Sequence, residues 1–457
     1  MPILEEKRKL LEGFHRISRE ERLERVQEIC GLTDDDLDLI SNKKNISHQI
    51  AEHLIENVIG YFPIPLGVAT NFNIDGRDIL IPMAVEETSI IAAASATAKW
   101  VRTQGVITTY AKGNLIIGQI QLPQVKDVRR ARDILHENRE NIIHFANRCL
   151  PGLVSRGGGI RDIAIRELDR PSAFSEKPSD IRSKMLVIHL LCDPCDAMGA
   201  NLINQVCEAI KPEIETLTGE NVGLCILSNL VDSKLAGAEV IVRNIDKKVG
   251  RGIEEACLFA KADPYRAATH NKGVLNGIDP ILIATGNDWR AIEAGIHAYA
   301  ARSGTYQPIS YWRMNGNDLI GKIEIPMAVG TVGGVTRLHP IAKIALKMMG
   351  IQRAEELARI CAAVGLIQNL GALKALATVG IVKGHMQLHA ANLALAAGAE
   401  VHEIAEVRAR LTEVLRVERT ISLTKAREIL NEIRMHAAVY PNGDSSVSTL
   451  GSKGLNH

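Results

Sequence analysis

The chain has 457 residues, 46% of them hydrophobic, enough for two or three structural units with sizeable cores. Its 54 basic and 53 acidic residues leave a formal charge of +1, which gives no electrostatic footprint for nucleic acid or an anionic membrane, so a small-molecule partner is expected. No uninterrupted apolar run reaches membrane-spanning length, and charges from Glu5 to Lys9 stand where a signal peptide needs its apolar stretch, so a cytoplasmic protein is expected.

Residues 5–60 read as helical, with Leu10, Leu11, Phe14, Leu23 and Val26 at helical spacing and Thr33 placed to cap a helix beginning at Asp34. Glu56-Asn57-Val58-Ile59-Gly60 reads as a helix end with a glycine stop. A strand is expected over Tyr61–Ala69, then a turn at Asn73–Gly76 and a second strand from Asp78 to Ile81, ended by Pro82. Val85-Glu86-Glu87-Thr88-Ser89 leads into a helix of small residues, Ile90–Ala98, where two acidic residues in a first turn commonly just complement the helix dipole.

From about 108 to 221 a smaller unit is expected, with strands over Leu115–Leu122 and Met185–Leu191, one basic helix over Val125–Arg148 and a flexible polar insertion over Pro171–Asp180. Arg156-Gly157-Gly158-Gly159 is a glycine-rich turn. The second strand is followed by Asp196-Ala197-Met198-Gly199-Ala200-Asn201, opening a helix toward Ile210; such a strand, small-residue turn and helix N-terminus present backbone N–H groups to a phosphate. The Rossmann glycine pattern is absent. Cys192 and Cys195 form a C-x-x-C without a second pair at zinc spacing, the eight cysteines read as free thiols, and no metal is expected.

The stretch Asp263–Gly295 concentrates polar groups around Ile281–Ala284, an apolar run with the length of a buried strand, framed by Pro280 and Gly286. Arg266, Thr269, His270, Asn271, Lys272 and Asn276 precede the run; Asn287, Asp288 and Arg290 follow it. Buried charge has to be paired or functional. The spacing suggests an ammonium (Lys272) beside a carboxylate (Asp288), with Arg266 free to grip an anion; an ordinary ion pair at a sheet edge accounts for it equally. Glu324–Gly334 reads as a structural glycine-rich turn, Ala354–Thr378 as an Ala- and Leu-rich helix, and His385 as the kind of glycine-flanked histidine that is more often a cap or core residue.

The Asp263–Gly295 segment closely resembles the catalytic segment of 3-hydroxy-3-methylglutaryl-coenzyme A reductases of the soluble class II. E-N-V-I-G, E-E-x-S, D-A-M-G-A-N, I-L-S-N-L and G-H-M-x-L-H fall in that family's order from about Phe14 to about Glu432. The resemblance implies an α+β and α/β multi-domain fold. Residues 1–107 and 222–378 form a large substrate-binding and dimerisation domain, 108–221 an inserted small ferredoxin-like NAD(P)-binding domain, 379–440 a mobile helical flap, and 441–457 read as a disordered tail.

It also implies a homodimer that reduces the thioester to mevalonate and coenzyme A, or runs the reverse oxidation. Glu87, Lys272, Asp288 and His385 become catalytic residues: proton donor, charge-stabilising ammonium, tuning carboxylate, and acid for the departing thiolate. Glu87 is expected to stay protonated through burial and the nearby Asp288. Ser89, Arg266 and Asn276 become substrate contacts, and Asp196, Met198, Gly199, Asn201 and Asn229 cofactor contacts. Thr88 stands where the family often has proline. At a position where some class II members carry an acid that grips the adenosine ribose, this chain has Leu150; with Arg148 and Arg156 close in sequence, NADPH is expected to be accepted, possibly alongside NADH. Two other readings of the residues stay open: a lyase or aldolase forming a Schiff base on Lys272, and a non-catalytic dimer binding nucleotide or acyl thioester.

Overall fold

The computed structural model describes residues 5–44, 46–171, 181–378, 390–418 and 420–439, which fall in two compact units, Met1–Thr378 and Val379–His457. Helix α1 (Arg19–Cys30) is capped by Ser18. Helix α2 (Asp34–Ile40) starts at the expected Thr33, whose hydroxyl accepts from the Asp36 N–H at 3.2 Å while the Asp36 carboxylate accepts from the Thr33 N–H at 2.9 Å. Helix α3 (His48–Leu54) ends at an extended Ile55, so Glu56–Gly60 lies beyond the helix instead of forming its glycine stop.

Strands β1 (Leu66–Ile74) and β2 (Arg77–Ala84) pair antiparallel around Asp75-Gly76. Pro82 lies inside β2, opposite Val68, because a two-stranded ribbon has an open edge where a missing N–H is tolerated. The buried Asp78 carboxylate accepts from Arg8 Nε and Nη2 at 3.0 and 2.7 Å, Arg102 Nη2 at 2.9 Å and Asn73 Nδ2 at 2.7 Å, tying the N-terminal segment to the ribbon. Helix α4 (Ile90–Gln104) runs into β3 (Gly105–Lys112), so the expected domain boundary at 108 falls inside a strand.

Next come β4 (Ile116–Leu122), α5 (Val128–Glu137), α6 (Arg139–Arg148), β5 (Gly159–Pro171), β6 (Ile181–Asp193), α7 (Ala200–Ala209), α8 (Lys211–Thr218) and β7 (Cys225–Ser228). Their order is β-α-β-β-α-β, and the strands form an antiparallel sheet ordered β5-β6-β4-β7. The single helix expected over Val125–Arg148 is two, divided at Asn138. From residue 172 the Pro171–Asp180 insertion lies outside the described residues.

Strand β8 (Leu235–Val242) returns to β3, with α9 (Lys247–Ala262), α10 (Pro264–Ala284) and α11 (Trp289–Ala300) preceding β9 (Ser310–Asn315) and β10 (Asp318–Pro326); the antiparallel order is β3-β8-β10-β9. The run Ile281–Ala284 is therefore not a strand but the last turn of α10. A short apolar run carries too little periodicity to tell the two apart, and Pro280 sits within the helix. Proline has no N–H to offer the Asn276 carbonyl four residues back.

Helices α12 (Pro340–Met349) and α13 (Ala354–Ala377) complete the unit. By length and composition α13 could cross a membrane, yet every residue from Ile360 to Leu370 is buried, as in a core helix. It meets α10 at glycines: a Cβ on Gly277 would lie 2.8 Å from Gln368 Cβ, 2.9 Å from the Val364 carbonyl oxygen and 3.2 Å from Gly365 Cα. In the second unit, α14 (Ile404–Glu418) and α15 (Leu423–Val439) pack around Val407, Leu411, Ala426 and Leu430. His385, its motif at 384–389 and the tail 441–457 lie outside the described residues.

Candidate active site

Helix α10 sorts its polar residues by face. His270 and Asn271 turn inward: the Asn271 amide donates to the Gln307 carbonyl at 2.9 Å and accepts from the Ile309 N–H at 3.0 Å, fixing the helix to the segment before β9. Thr269 and Lys272 turn outward, with Asn276 half-buried. The Lys272 ammonium reaches Glu87 Oε2 of the same chain at 3.1 Å. Glu87 lies in the short turn Val85–Ser89 that follows β2, whose last residue, Ala84, belongs to one small apolar cluster with Ala284 of α10.

The burial expected around these charges is absent in the single chain, where the Lys272 and Glu87 side chains are 60% and 44% exposed. Tyr265, on the same outward face of α10, is 89% exposed. Asp288 is held apart from the pair as the N-cap of α11, its Oδ1 accepting from the Ala291 N–H at 3.1 Å and standing 3.6 Å from Arg290 Nε. Among the described residues no hydrogen bond or ion pair joins it to Lys272 or Glu87, so the expected three-group network is a pair plus a separate cap. One turn beyond Asn276 on the same helix, desolvation and then the Glu293 carboxylate push the Asp279 carboxyl up to about 8.

Ser89 and Arg266 both carry polar groups that the surrounding chain does not engage. Ser89 caps α4 at a left-handed φ of 78°, uncommon for a side-chain-bearing residue, and its hydroxyl is buried without a partner among the described residues. The half-buried Arg266 guanidinium makes no hydrogen bond or ion pair among the described residues, and burial lowers its pKa.

His270, 1% exposed, places Nε2 2.7 Å from Ser310 Oγ, and burial, reinforced by the Arg266 charge one turn away, pushes its pKa down to about 4 from an ordinary 6.5. Between those values the unfolded chain takes up a proton that the folded chain refuses. Stability from neutral His270 is thus fully present above pH 6.5 and lost as pH falls toward 4, amounting to about 3 kcal/mol at the limit. Urea unfolding at about pH 7 and about pH 5 should show His270→Gln losing less stability on acidification than the wild type. Equal losses would contradict this role.

The expected cofactor turn is built by glycines and by a loop first read as merely structural. Gly199 caps α7 at φ 88°, and a Cβ there would lie 2.5 Å from Ile116 Cδ1. Gly330 comes so close that its Cβ would lie 2.6 Å from the Met198 nitrogen; Ala197 bridges Val332, and the Thr331 N–H donates to the Asp196 carbonyl at 2.9 Å. Asn287 grips this loop by its amide, accepting from the Gly330 N–H at 2.8 Å and donating to the Gly330 carbonyl at 3.1 Å. Asp288 is the next residue, so one clamp places the α11 corner beside the Asp196–Asn201 turn.

Met198, Asn229, Ala291 and Gly295 line one pocket, in which a Cβ on Gly295 would meet the Asn229 carbonyl oxygen at 2.4 Å. Asn201 and Arg148 are exposed. Arg156 is held near the turn through its carbonyl, which accepts from Cys195 Sγ at 3.7 Å. Leu150 is 7% exposed and belongs to the core, because it precedes the short helix Pro151–Val154. Burial raises both thiols of the C-x-x-C, Cys192 to about 12.

A family model described as hydroxymethylglutaryl-coenzyme A reductase matches residues 18–390. The chain is 47% identical over 430 residues to the 3-hydroxy-3-methylglutaryl-coenzyme A reductase of Archaeoglobus fulgidus, covering 92% of this chain and 94% of that one. To the probable reductase of Borreliella burgdorferi it is 33% identical over 354 residues, 76% of this chain and 78% of that one. Among solved structures, the reductase from Streptococcus pneumoniae superposes with a TM-score of 0.77 at 37% identity, covering 93% of this chain and all of that chain. A class II structure from the same organism, described as bound to NADPH in open conformations, gives 0.76 at 36% identity over 80% of this chain and 100% of that one. Because the likeness runs through both the Lys272 helix and the Asp196–Asn201 turn, the chain belongs to the hydroxymethylglutaryl-coenzyme A reductase family, on its class II branch.

Proposed function

We propose that this chain is a hydroxymethylglutaryl-coenzyme A reductase that reduces the thioester to mevalonate and coenzyme A, working in the cytoplasm as a homodimer. The observation that carries it is the 3.1 Å pair between Glu87 and Lys272 of α10, a helix that also presents Arg266, whose guanidinium has no hydrogen bond or ion pair among the described residues. Two molecules of a reduced nicotinamide dinucleotide, bound in turn, would each supply one hydride to the same carbon. The Asp196–Asn201 turn fits the dinucleotide, since Gly199, at a left-handed φ of 88°, opens α7 with its N-terminal N–H groups, and Gly330 lets the neighbouring loop close on the Met198 nitrogen and hold the turn in place. Asp196, Met198, Gly199, Asn201 and Asn229 would hold it within the β-α-β-β-α-β unit, which we take as the ferredoxin-like cofactor domain, with Arg148 and Arg156 near its adenosine end. The pneumococcal relative described with NADPH supports acceptance of that cofactor.

At the reacting carbonyl, Lys272 stabilises the negative charge that gathers on oxygen, and Glu87 delivers the proton to that oxygen. Asp288 shapes the field of both from the α11 corner. His385 would protonate the leaving thiolate. Arg266 binds the free carboxylate of the substrate, with Ser89 and Asn276 on its hydroxyl end, so that the thioester is oriented before reaction. The outward face of α10 then needs a cover to exclude water, which a second copy of the chain supplies in this reading. A Schiff base on Lys272 is disfavoured because its head group is already engaged by a carboxylate.

Mixing the purified chain with the thioester and either reduced nicotinamide cofactor should consume the cofactor's absorbance, about two equivalents per mevalonate formed. Absence of turnover with both cofactors would overturn the proposal. Borohydride trapping of substrate on Lys272 would favour the lyase reading.

A further inference from the structure

A second cavity, of about 250 Å³, opens where the chain crosses between the two four-stranded sheets. Both crossings border it: Gly113-Asn114 between β3 and β4, and Lys234 at the start of β8. They are pressed together, since the Ser233 hydroxyl donates to the Leu115 carbonyl at 2.7 Å and a Cβ on Gly113 would lie against the Ser233 carbonyl oxygen. The remaining wall is Asp193, Cys195 and Asp196, the end of β10 at Met327, and the first turn of α13.

Lys234 lines this space at 8% exposure, and among the described residues its ammonium has neither a hydrogen bond nor an ion pair. The carboxylates around it are engaged. Asp193 accepts from Asn114 Nδ2 at 2.7 Å and the Cys195 N–H at 3.0 Å and lies 3.6 Å from Arg161, Asp196 accepts from the Ala354 N–H at 2.9 Å, and Glu355 pairs with Arg353 at 3.2 Å. A buried cation left without a counter-charge is costly. Burial lowers the pKa of Lys234, while Asp193 and Asp196 oppose that shift without contacting the ammonium. The N-terminus of the 24-residue α13 adds a positive dipole end to the same space.

We infer that this cavity is a binding site for a small monocarboxylate, its carboxylate on Lys234 and its short apolar chain against Ala111, Leu235, Met327 and Ala358. A doubly charged phosphate fits less well, because Asp193, Asp196 and Glu355 share the wall. The site is separate from the Lys272–Glu87 pair, and the inference does not rest on the proposed activity.

Titration calorimetry of the full chain, without nicotinamide or thioester, uses butyrate as the probe and inorganic phosphate as the dianionic comparison. Butyrate should bind at one site per chain, more tightly than phosphate, and should slow alkylation of Cys195, which faces the same space and is read residue by residue in a mass spectrometer. Lys234→Met should weaken butyrate about tenfold or more, as expected for losing one buried charge partner. Lys234→Arg should retain binding, and Arg266→Ala should leave it unchanged, which separates this cavity from the proposed substrate carboxylate site. Equal affinity in wild type and Lys234→Met, loss in Arg266→Ala, or tighter binding of phosphate would overturn the inference. If Lys234→Met does not fold, failure of butyrate to slow Cys195 alkylation in the wild type overturns it alone.

Discussion

Lys272→Met should lower thioester-dependent consumption of the reduced cofactor by about 10²–10³-fold, the loss typical of removing one preorganised donor from a developing oxyanion. The fold should barely notice. Its ion pair with Glu87 is more than half exposed on the lysine side, and such pairs contribute only about 0–1 kcal/mol. Steady-state rates beside a thermal unfolding curve separate the two effects. Glu87→Gln should lose activity on a similar scale, and the double variant should be little worse than either single one, because groups that act as a unit do not add. A Lys272→Met enzyme retaining a tenth or more of wild-type turnover would remove the ammonium from the mechanism.

The largest loss of stability should come from Asp78→Ala, far from the chemistry. Four donors converge on this buried carboxylate, and its removal leaves the mostly buried Arg102 guanidinium without its counter-charge. Breaking a buried pair on one side costs about 3–5 kcal/mol, and the lower end applies here because Arg8 is partly solvated. Urea unfolding should show a midpoint shift of that size, and limited proteolysis should cut sooner near Arg8. Asp78→Asn, which keeps an acceptor, should lose less. A change of under about 1 kcal/mol in Asp78→Ala would place the hub among ordinary surface pairs.

What could be read from the letters was local. Thr33 and its capping partner Asp36 lie three residues apart, and the strand, turn and helix around Asp196–Asn201 are contiguous, so each carries its own signal. The misreadings had equally local causes. Ile281–Ala284 looked like a strand because the helix before it contains a proline and four apolar residues have no period. Leu150 looked like a cofactor-facing position by counting along the chain, whereas the following proline turn buries it.

Contacts between distant residues left no trace. Arg8 and Asp78 are 70 residues apart and Asn287 and Gly330 are 43, so nothing in either neighbourhood announces the other. The solvent around Lys272 and Glu87 was equally hidden, because composition says which residues are charged and not which face of α10 is covered.

The meeting of α10 and α13 at Gly277 and Gly365 has a dynamic consequence. With main chain resting almost directly on main chain, the Lys272 helix cannot roll or slide without first pulling away from its neighbour. Whatever adjustment accompanies a ligand's arrival therefore belongs to rotamers of Lys272 and Arg266 and to the turn holding Glu87 and the left-handed Ser89, while the axis beneath them stays still.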